Sequence, residues 1–344
     1  MQAVYLTGHG GNEVVAFGER PRPVRGPGEV LLRIGAATVN RVDLYMRDSG
    51  AGITHTLPQV MGVDGAGVVE EADAGERTLK PGQRVVLYPG ITCGRCEFCR
   101  RGDEVLCTSM RLLGEHRDGT FAEFVALPAR NALPVPEGWS DAEAAALGVN
   151  HLTAWRMLFT QAQVRAHETV LVFGIGGGVS LAALQLAKAA GARVIVTSRE
   201  AAKLERALQL GADAAVNGST QDIARTVLEL TGGRGVDVAI ENVGAAVWPA
   251  ALKSLVRGGR IVTCGATTGD QPGADLRRLF IRQLKVFGST LGNLSEFADV
   301  IGFCARRGVR PVIDQTLPLA QAREAFARLE AGLQFGKIAL VVRP

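Results

Sequence analysis

The chain has 344 residues, 47% hydrophobic and 21% charged, with a net charge of +4. That length exceeds what one core usually fills and suits two domains. The charge is too small to mark a nucleic-acid partner, and residues 1–11 lack the basic and apolar regions of a secretory signal, so a cytoplasmic protein is expected.

Residues 1–135 read as short strands between Gly and Pro punctuation. The candidates are Gln2–Leu6, 29–34, 65–70, Arg84–Leu87 and 121–127. No alternation of strand and helix is visible there, so a β-rich, partly closed barrel is expected.

From Pro136 the texture becomes helical. Ser140 is placed to cap a helix over 141–147, and 151–159 reads as a second helix. Six apolar strands follow, at 169–173, 193–197, Ala214–Asn217, Val236–Glu241, 260–264 and 285–289, interleaved with helices at 180–190, 222–230 and 246–255. Six is the number expected of a doubly wound parallel sheet. Helical patterns at Leu294–Arg307 and 319–333 precede an apolar strand at 337–342. That last strand needs a sheet edge, so residues 290–344 are expected to rejoin residues 1–135, leaving 136–289 as the α/β domain.

A glycine turn, Gly174-Ile175-Gly176-Gly177-Gly178, separates the first of the six strands from its helix. Glycines at such a turn let the backbone approach a pyrophosphate, and the helix start supplies unpaired N–H groups. The third glycine position falls on Val179 or Ser180. After the second strand come Ser198, Arg199 and Lys203, where NAD binding would call for a carboxylate; positive charge there suits the 2′-phosphate of NADP(H). Residues 169–187 carry no charge and approach the length of a membrane span. Four glycines among them, and the continuous apolar run of any doubly covered parallel strand, argue against a membrane reading.

Four of the six cysteines, Cys93, Cys96, Cys99 and Cys107, follow a CxxCxxCx₇C spacing. Four thiolates form a closed tetrahedral Zn²⁺ site, which stabilises a loop and offers no open position for chemistry. An iron–sulfur cluster also uses four thiolates, though the spacing fits it poorly. Arg95, Arg100 and Arg101 lie nearby, but no aromatic residues are interleaved to stack bases, so a nucleic-acid ribbon is disfavoured. Cys264 and Cys304 read as core residues.

The order of a β-rich domain with a cysteine lobe, a dinucleotide domain and a C-terminal return resembles the medium-chain dehydrogenase/reductase family, which includes zinc alcohol dehydrogenases and quinone oxidoreductases. Matching segments span the chain: residues 58–69 (PQVMGVDGAGVV), 80–85 (KPGQRV), the four cysteines, 152–155 (LTAW), 258–262 (GGRIV) and 336–338 (GKI). The resemblance implies a GroES-like barrel beside a Rossmann-type domain. It also implies a small-molecule substrate, a homodimer or homotetramer, and dinucleotide contacts from Thr153, Gly174, Gly176, Gly177, Gly178, Val179, Ser198, Arg199, Lys203, Asn242, Val243, Gly265 and Ala266.

The chain departs from the family's catalytic-zinc pattern. Asn40 stands where a ligating cysteine is expected, Gly62-Val63-Asp64 replaces Gly-His-Glu, Val149 or Asn150 replaces a third ligand, and Val42 replaces the hydroxyl that passes the alcohol proton. Valine cannot ligate a metal. The resemblance therefore implies a zinc-free quinone or enone reductase using NADPH, in which hydrogen-bond donors hold the developing oxyanion. Asn40 is the first candidate anchor, Tyr45 a candidate donor, and Asp43 a catalytic group or a local cap. His116 is a candidate proton donor, or with Asp64 part of an unorthodox metal site. The alternatives are an alcohol dehydrogenase with unusual metal ligands and a nucleotide-dependent redox sensor without turnover.

Overall fold

The computed structural model describes residues 1–53, 55–73 and 75–342. The chain divides into two compact units, one of residues 1–149, 293–305 and 310–344, the other of residues 150–292 and 306–309.

In chain order the strands are β1 (Gln2–Leu6), β2 (Val15–Glu19), β3 (Glu29–Val39), β4 (Gln59–Val60), β5 (Gly65–Glu71), β6 (Arg84–Leu87), β7 (Gly90–Ile91), β8 (Arg111–Leu112), β9 (Phe124–Pro128) and β10 (Ala132–Pro134). The second unit holds β11 (Thr169–Val172), β12 (Arg193–Ser198), β13 (Ala214–Asn217), β14 (Val236–Glu241), β15 (Leu255–Thr263) and β16 (Lys285–Gly288). The chain then returns to the first unit with β17 (Ile313–Pro318) and β18 (Lys337–Val341).

The first unit is built on a seven-stranded sheet in the order β10-β6-β5-β3-β18-β17, with β9 also pairing β3, beside the three-stranded sheet β2-β1-β4. β18 lies antiparallel to β3 and parallel to β17. The strand sequence ends at Gly35 on pattern alone, yet β3 continues to Val39. Register shifts at Leu31/Leu32 and Ile34/Ala36 let the ladder pass the glycine. That extension sets Ala37 opposite Gly65 and so brings Thr38 and Asn40 beside Asp64. Phe121 and Ala122 precede β9 rather than opening it and are tied to β1 instead.

The helix Asp141–Ala146 starts at a reciprocal cap, Ser140 Oγ accepting from Glu143 N at 3.2 Å. It packs on β3, β5 and β18. The first unit therefore runs to Val149, and the boundary drawn at residue 136 is corrected by the packing of this apolar alanine face. The helix read over 151–159 is a single turn, Leu152–Trp155, flanked by wider π-type turns at Leu147–His151 and Arg156–Gln161.

The second unit is a parallel sheet in the order β13-β12-β11-β14-β15-β16. Read along the chain this is 3-2-1-4-5-6, the doubly wound dinucleotide-binding order. Its strands supply a core of Leu171, Phe173, Ile195, Val216, Ala239 and Ile261, closed by Val227 and Leu252 from the flanking helices.

Candidate functional site

Two clusters of chemistry-bearing residues stand out, one in each unit, and the cysteine lobe adds a third centre in the first.

In the second unit β11 ends at Val172 and the chain turns through Gly174 (φ +66°) and Gly176 (φ +117°) into the helix Gly178–Ala189. A Cβ on Gly174 would lie 2.9 Å from Val243 Cγ2, so the backbone passes where no other residue fits. The third glycine position is resolved by Ser180: its buried hydroxyl donates to Phe173 O at 2.9 Å and accepts from Asn242 Nδ2 at 3.2 Å. It thereby ties the helix start to the end of β11 and to the end of β14. Glu241, fully buried, shapes the neighbouring turn by accepting from Val243 N, from Gly244 N at 2.7 Å and from Thr263 Oγ1 at 3.1 Å. Burial raises its pKa, and the two backbone donors oppose that rise. Gly265 and Ala266 follow β15, Gly265 packing on Asn242 and Ala266 on Gly244; Thr153 is buried in its short helix. With open N–H groups at the helix start, a backbone cradle and strand ends converging on it, this end of the sheet suits a dinucleotide pyrophosphate.

At the end of β12, Ser198 Oγ accepts from Glu200 N at 3.1 Å. Lys203 does not stand as an open cation. Its Nζ pairs with Glu200 Oε1 at 2.7 Å, so of the two basic residues expected near the ribose only Arg199 is without an acidic partner among the described residues. Glu200, one residue past Arg199, is the counter-charge of Lys203 three residues on.

In the first unit, a polar cluster lies at the carboxyl end of β3. Asp64, with no exposed surface, accepts from Thr38 N at 3.1 Å and Thr38 Oγ1 at 2.7 Å on one oxygen, and from Asn40 Nδ2 at 2.9 Å on the other. The same Nδ2 donates to Thr38 O at 3.0 Å, while Asn40 Oδ1 accepts from Lys337 Nζ at 2.5 Å. Lys337, 4% exposed, also donates to Val39 O at 3.0 Å and lies 3.7 Å from Asp64 Oδ2. Burial lowers the lysine's pKa and Asp64 and Asp43 oppose it. Both donors and the acceptor of the Asn40 amide are thus engaged inside the protein. This corrects the expectation that Asn40 anchors a substrate oxygen: doing so would break a buried hydrogen bond.

Asp43 accepts from Asn40 N at 2.7 Å and caps the helix Arg41–Ser49. Burial first, then the carboxylates of Asp64 and Glu115, pushes its pKa well above the usual range. It is a structural cap with almost no exposed surface rather than a group open to reactants. Tyr45, on the same helix, is 39% exposed. His116 accepts from Leu112 N at 3.1 Å through Nδ1, which fixes its neutral tautomer with the proton on Nε2; burial, then Arg111, lowers its pKa. Beside it, Glu115 is buried and its pKa is pushed up to about 7 by burial. Sequence reading passed over Glu115 because burial inside a Gly-flanked loop leaves no pattern. It likewise took Lys337 only as part of a matching segment.

The cysteine lobe brings Cys93, Cys96, Cys99 and Cys107 within 4.8 Å of one another. Cys96 Sγ and Cys99 Sγ are 3.5 Å apart and Cys93 Sγ and Cys99 Sγ 4.0 Å, against roughly 3.8 Å for the edge of a tetrahedral Zn–S₄ site with Zn–S bonds of ~2.3 Å. Backbone N–H groups aim at the sulfurs, Cys93 N at Cys107 Sγ and Cys96 N at Cys93 Sγ, both at 3.4 Å. These features fit a tetrahedral metal. Among the described residues no other group of three or more His, Cys, Asp or Glu side chains converges in this way, and neither His116 nor Asp64 belongs to such a group. No helix among them is long and apolar enough to cross a membrane.

Comparison with known proteins agrees with this layout. Residues 26–137 match the alcohol dehydrogenase GroES-like domain family, and residues 178–306 the zinc-binding dehydrogenase family. An alcohol dehydrogenase of Geobacillus stearothermophilus is 32% identical over 326 residues, covering 94% of this chain and 95% of its own. An NAD-dependent alcohol dehydrogenase of Sulfurisphaera tokodaii is 31% identical, with 93% and 94% covered. A crystal structure of an NAD-dependent alcohol dehydrogenase is 41% identical, superposes with a TM-score of 0.97 and is covered along with this chain at 100%. The cobalt- and zinc-bound thermostable alcohol dehydrogenase from Pyrobaculum aerophilum is 32% identical at a TM-score of 0.89, with 99% of both chains covered. A GroES-like unit with a four-cysteine lobe, joined to a six-stranded dinucleotide sheet and matched end to end by such relatives, is an oxidoreductase of the alcohol dehydrogenase type: the chain belongs to the medium-chain dehydrogenase/reductase superfamily.

Proposed function

We propose that the protein is an NADP(H)-dependent reductase of quinones, enones or related carbonyl compounds, with one structural zinc in the cysteine lobe and no metal at the reacting centre. The observation that carries this reading is the Lys337 ammonium 2.5 Å from Asn40 Oδ1. Asn40 stands where the family resemblance expects a zinc ligand, and a fixed cation touching it repels a divalent ion.

When bound, reduced nicotinamide supplies a hydride from C4 to an electron-poor carbon, and a proton completes the product. The glycine turn and the N-terminus of the helix Gly178–Ala189 hold the pyrophosphate, and Arg199 takes the 2′-phosphate. Tyr45 donates to the developing oxyanion. His116, protonated on Nε2, and Glu115, with a pKa of about 7, are the reserve proton donors. Four cysteines gathered as metal ligands rather than paired in disulfides suit a reducing, cytoplasmic setting. The edge strand β16 and the helix Leu276–Arg282 present exposed Leu276, Phe280, Ile281 and Val286, which supports a homodimer, or a homotetramer built from such pairs.

Metal analysis together with NADPH oxidation on a quinone panel tests the reading. About one zinc per chain with turnover supports it; about two zinc per chain points instead to an alcohol dehydrogenase with a catalytic metal. Nucleotide binding without turnover on any acceptor points to a redox sensor.

A further inference from the structure

At the amino ends of β14 and β15, the end of the sheet opposite the glycine turn, Arg234, Asp237, Arg257, Arg260, Arg282 and the Gly258-Gly259 turn line a cavity of about 590 Å³. The charges in it do not cancel. Arg234 is held by Asp237 through two bonds of 3.0 and 2.6 Å, and Arg260 by Glu168 at 2.5 Å. Arg257 and Arg282 have no carboxylate partner among the described residues. Each is fixed instead by a neutral carbonyl, Arg257 Nη1 donating to Ile281 O at 3.1 Å and Arg282 Nη1 to Leu255 O at 2.8 Å. These reciprocal bonds between a strand start and a helix end orient two guanidinium groups while engaging one N–H of each and leaving their charge intact. Arg260 Nε is buried nearby with no partner among the described residues.

Stapling the helix end onto the sheet accounts for Arg257, whose carbonyl partner lies at the negative end of the helix dipole. Arg282, donating from the helix end to the strand start, staples the same two elements; stapling uses one N–H of each arginine and accounts neither for their remaining donors nor for the idle Nε of Arg260. Two uncompensated guanidinium forks lining a cavity together with Gly258 and Gly259 match a tetrahedral dianion, which accepts paired N–H bonds. We propose that this cavity binds a multiply charged phosphate, a phosphate ester or pyrophosphate group, at a place separate from the dinucleotide turn.

The test is calorimetric titration of the full chain with inorganic pyrophosphate at low ionic strength, where exposed arginines are least screened. It is repeated with NADPH present and with sulfate at matched ionic strength. The expected result is a saturable event of equal affinity with and without NADPH, stronger than sulfate, and weakened about tenfold or more in the double variant Arg257→Gln with Arg282→Gln. Phenylglyoxal modification of the unmutated protein, mapped by mass spectrometry, gives a second readout that does not depend on the variant folding. Pyrophosphate should protect Arg257 and Arg282. Binding abolished by NADPH, binding matched by sulfate, or modification of both arginines unaffected by pyrophosphate would each overturn the proposal. If NADPH itself fails to bind, the proposed reductase reading fails, while the protection pattern still decides this one.

Discussion

Lys337 Nζ donates to Asn40 Oδ1 and lies 3.7 Å from Asp64 Oδ2, so a buried cation and a buried anion are joined through one asparagine amide. Neither charge reaches solvent, and each is tolerable only because the other is there.

Removing one partner should therefore be costly. Lys337→Met is expected to destabilise the protein by about 3–5 kcal/mol, because it leaves Asp64 charged and unpaired in the interior. Adding Asp64→Asn should recover much of that loss. Urea denaturation of the single and double variants measures both, and a Lys337→Met protein as stable as the parent would show that the pair carries no charge.

Glu115 gives a pH dependence of definite sign. Burial pushes its pKa up to about 7 from an ordinary value of 4.5. Between those values the unfolded chain has lost the proton that the folded chain keeps. Its contribution to stability is complete below about pH 4.5, declines as pH rises, and is gone above about pH 7. Glu115→Gln should flatten that decline and make the protein more stable than the parent at pH 8, by up to about 3 kcal/mol. Thermal melts from pH 5 to 8 read the slope; identical slopes in both proteins would exclude a raised pKa.

The cysteine lobe should behave as a metal-dependent fold. Cys96→Ser, or a strong chelator, is expected to release zinc and lower the melting temperature of the first unit, while the second unit, which contributes none of the four thiols, keeps its structure. Zinc content and near-ultraviolet circular dichroism measure the two effects. Full zinc retention in Cys96→Ser would remove the lobe from the metal account.

Nucleotide choice should turn on two adjacent residues of opposite charge. If Arg199 takes the 2′-phosphate as proposed, Arg199→Asp shifts preference toward NADH by about tenfold or more, because it removes that cation. Glu200→Gln should act in the other direction, because it frees Lys203 from its 2.7 Å ion pair. Ratios of kcat/KM for the two nucleotides measure both, and a preference indifferent to Arg199 would return the site to NAD, the nucleotide that names several relatives.

The apolar edge of the second unit should matter in solution. Phe280, 70% exposed on the helix beside β16, lies in the apolar patch proposed above as the subunit contact. Phe280→Arg is expected to move the sedimentation profile toward monomer. An unchanged profile would place the subunit contact elsewhere.

Much of the second unit was legible because a buried parallel strand is written as a short apolar run between glycines, and six such runs give the sheet count directly. The ends were less legible. β15 begins at Leu255 although the pattern starts only at Arg260, since Gly258 and Gly259 break the run while Leu255 still pairs with Val236. β2 and β17 escaped notice because both carry half-exposed, mixed sequences. At the candidate site, the cysteine spacing and the glycine turn announced themselves, since both depend on local spacing. The Asn40–Asp64–Lys337 network did not. Its members are up to 297 residues apart in sequence and meet only through the pairing of β3 with β5 and β18.

The pairing of β18 with β3 also constrains how the molecule is made. The second unit is almost continuous in sequence and can condense while synthesis proceeds, whereas the first cannot complete its sheet until residues 337–341 have left the ribosome. Until then Asp64 waits without its cation and one edge of β3 stands open. A nascent chain stalled shortly before Lys337 should therefore display an aggregation-prone strand, with chaperones holding the half that was translated first.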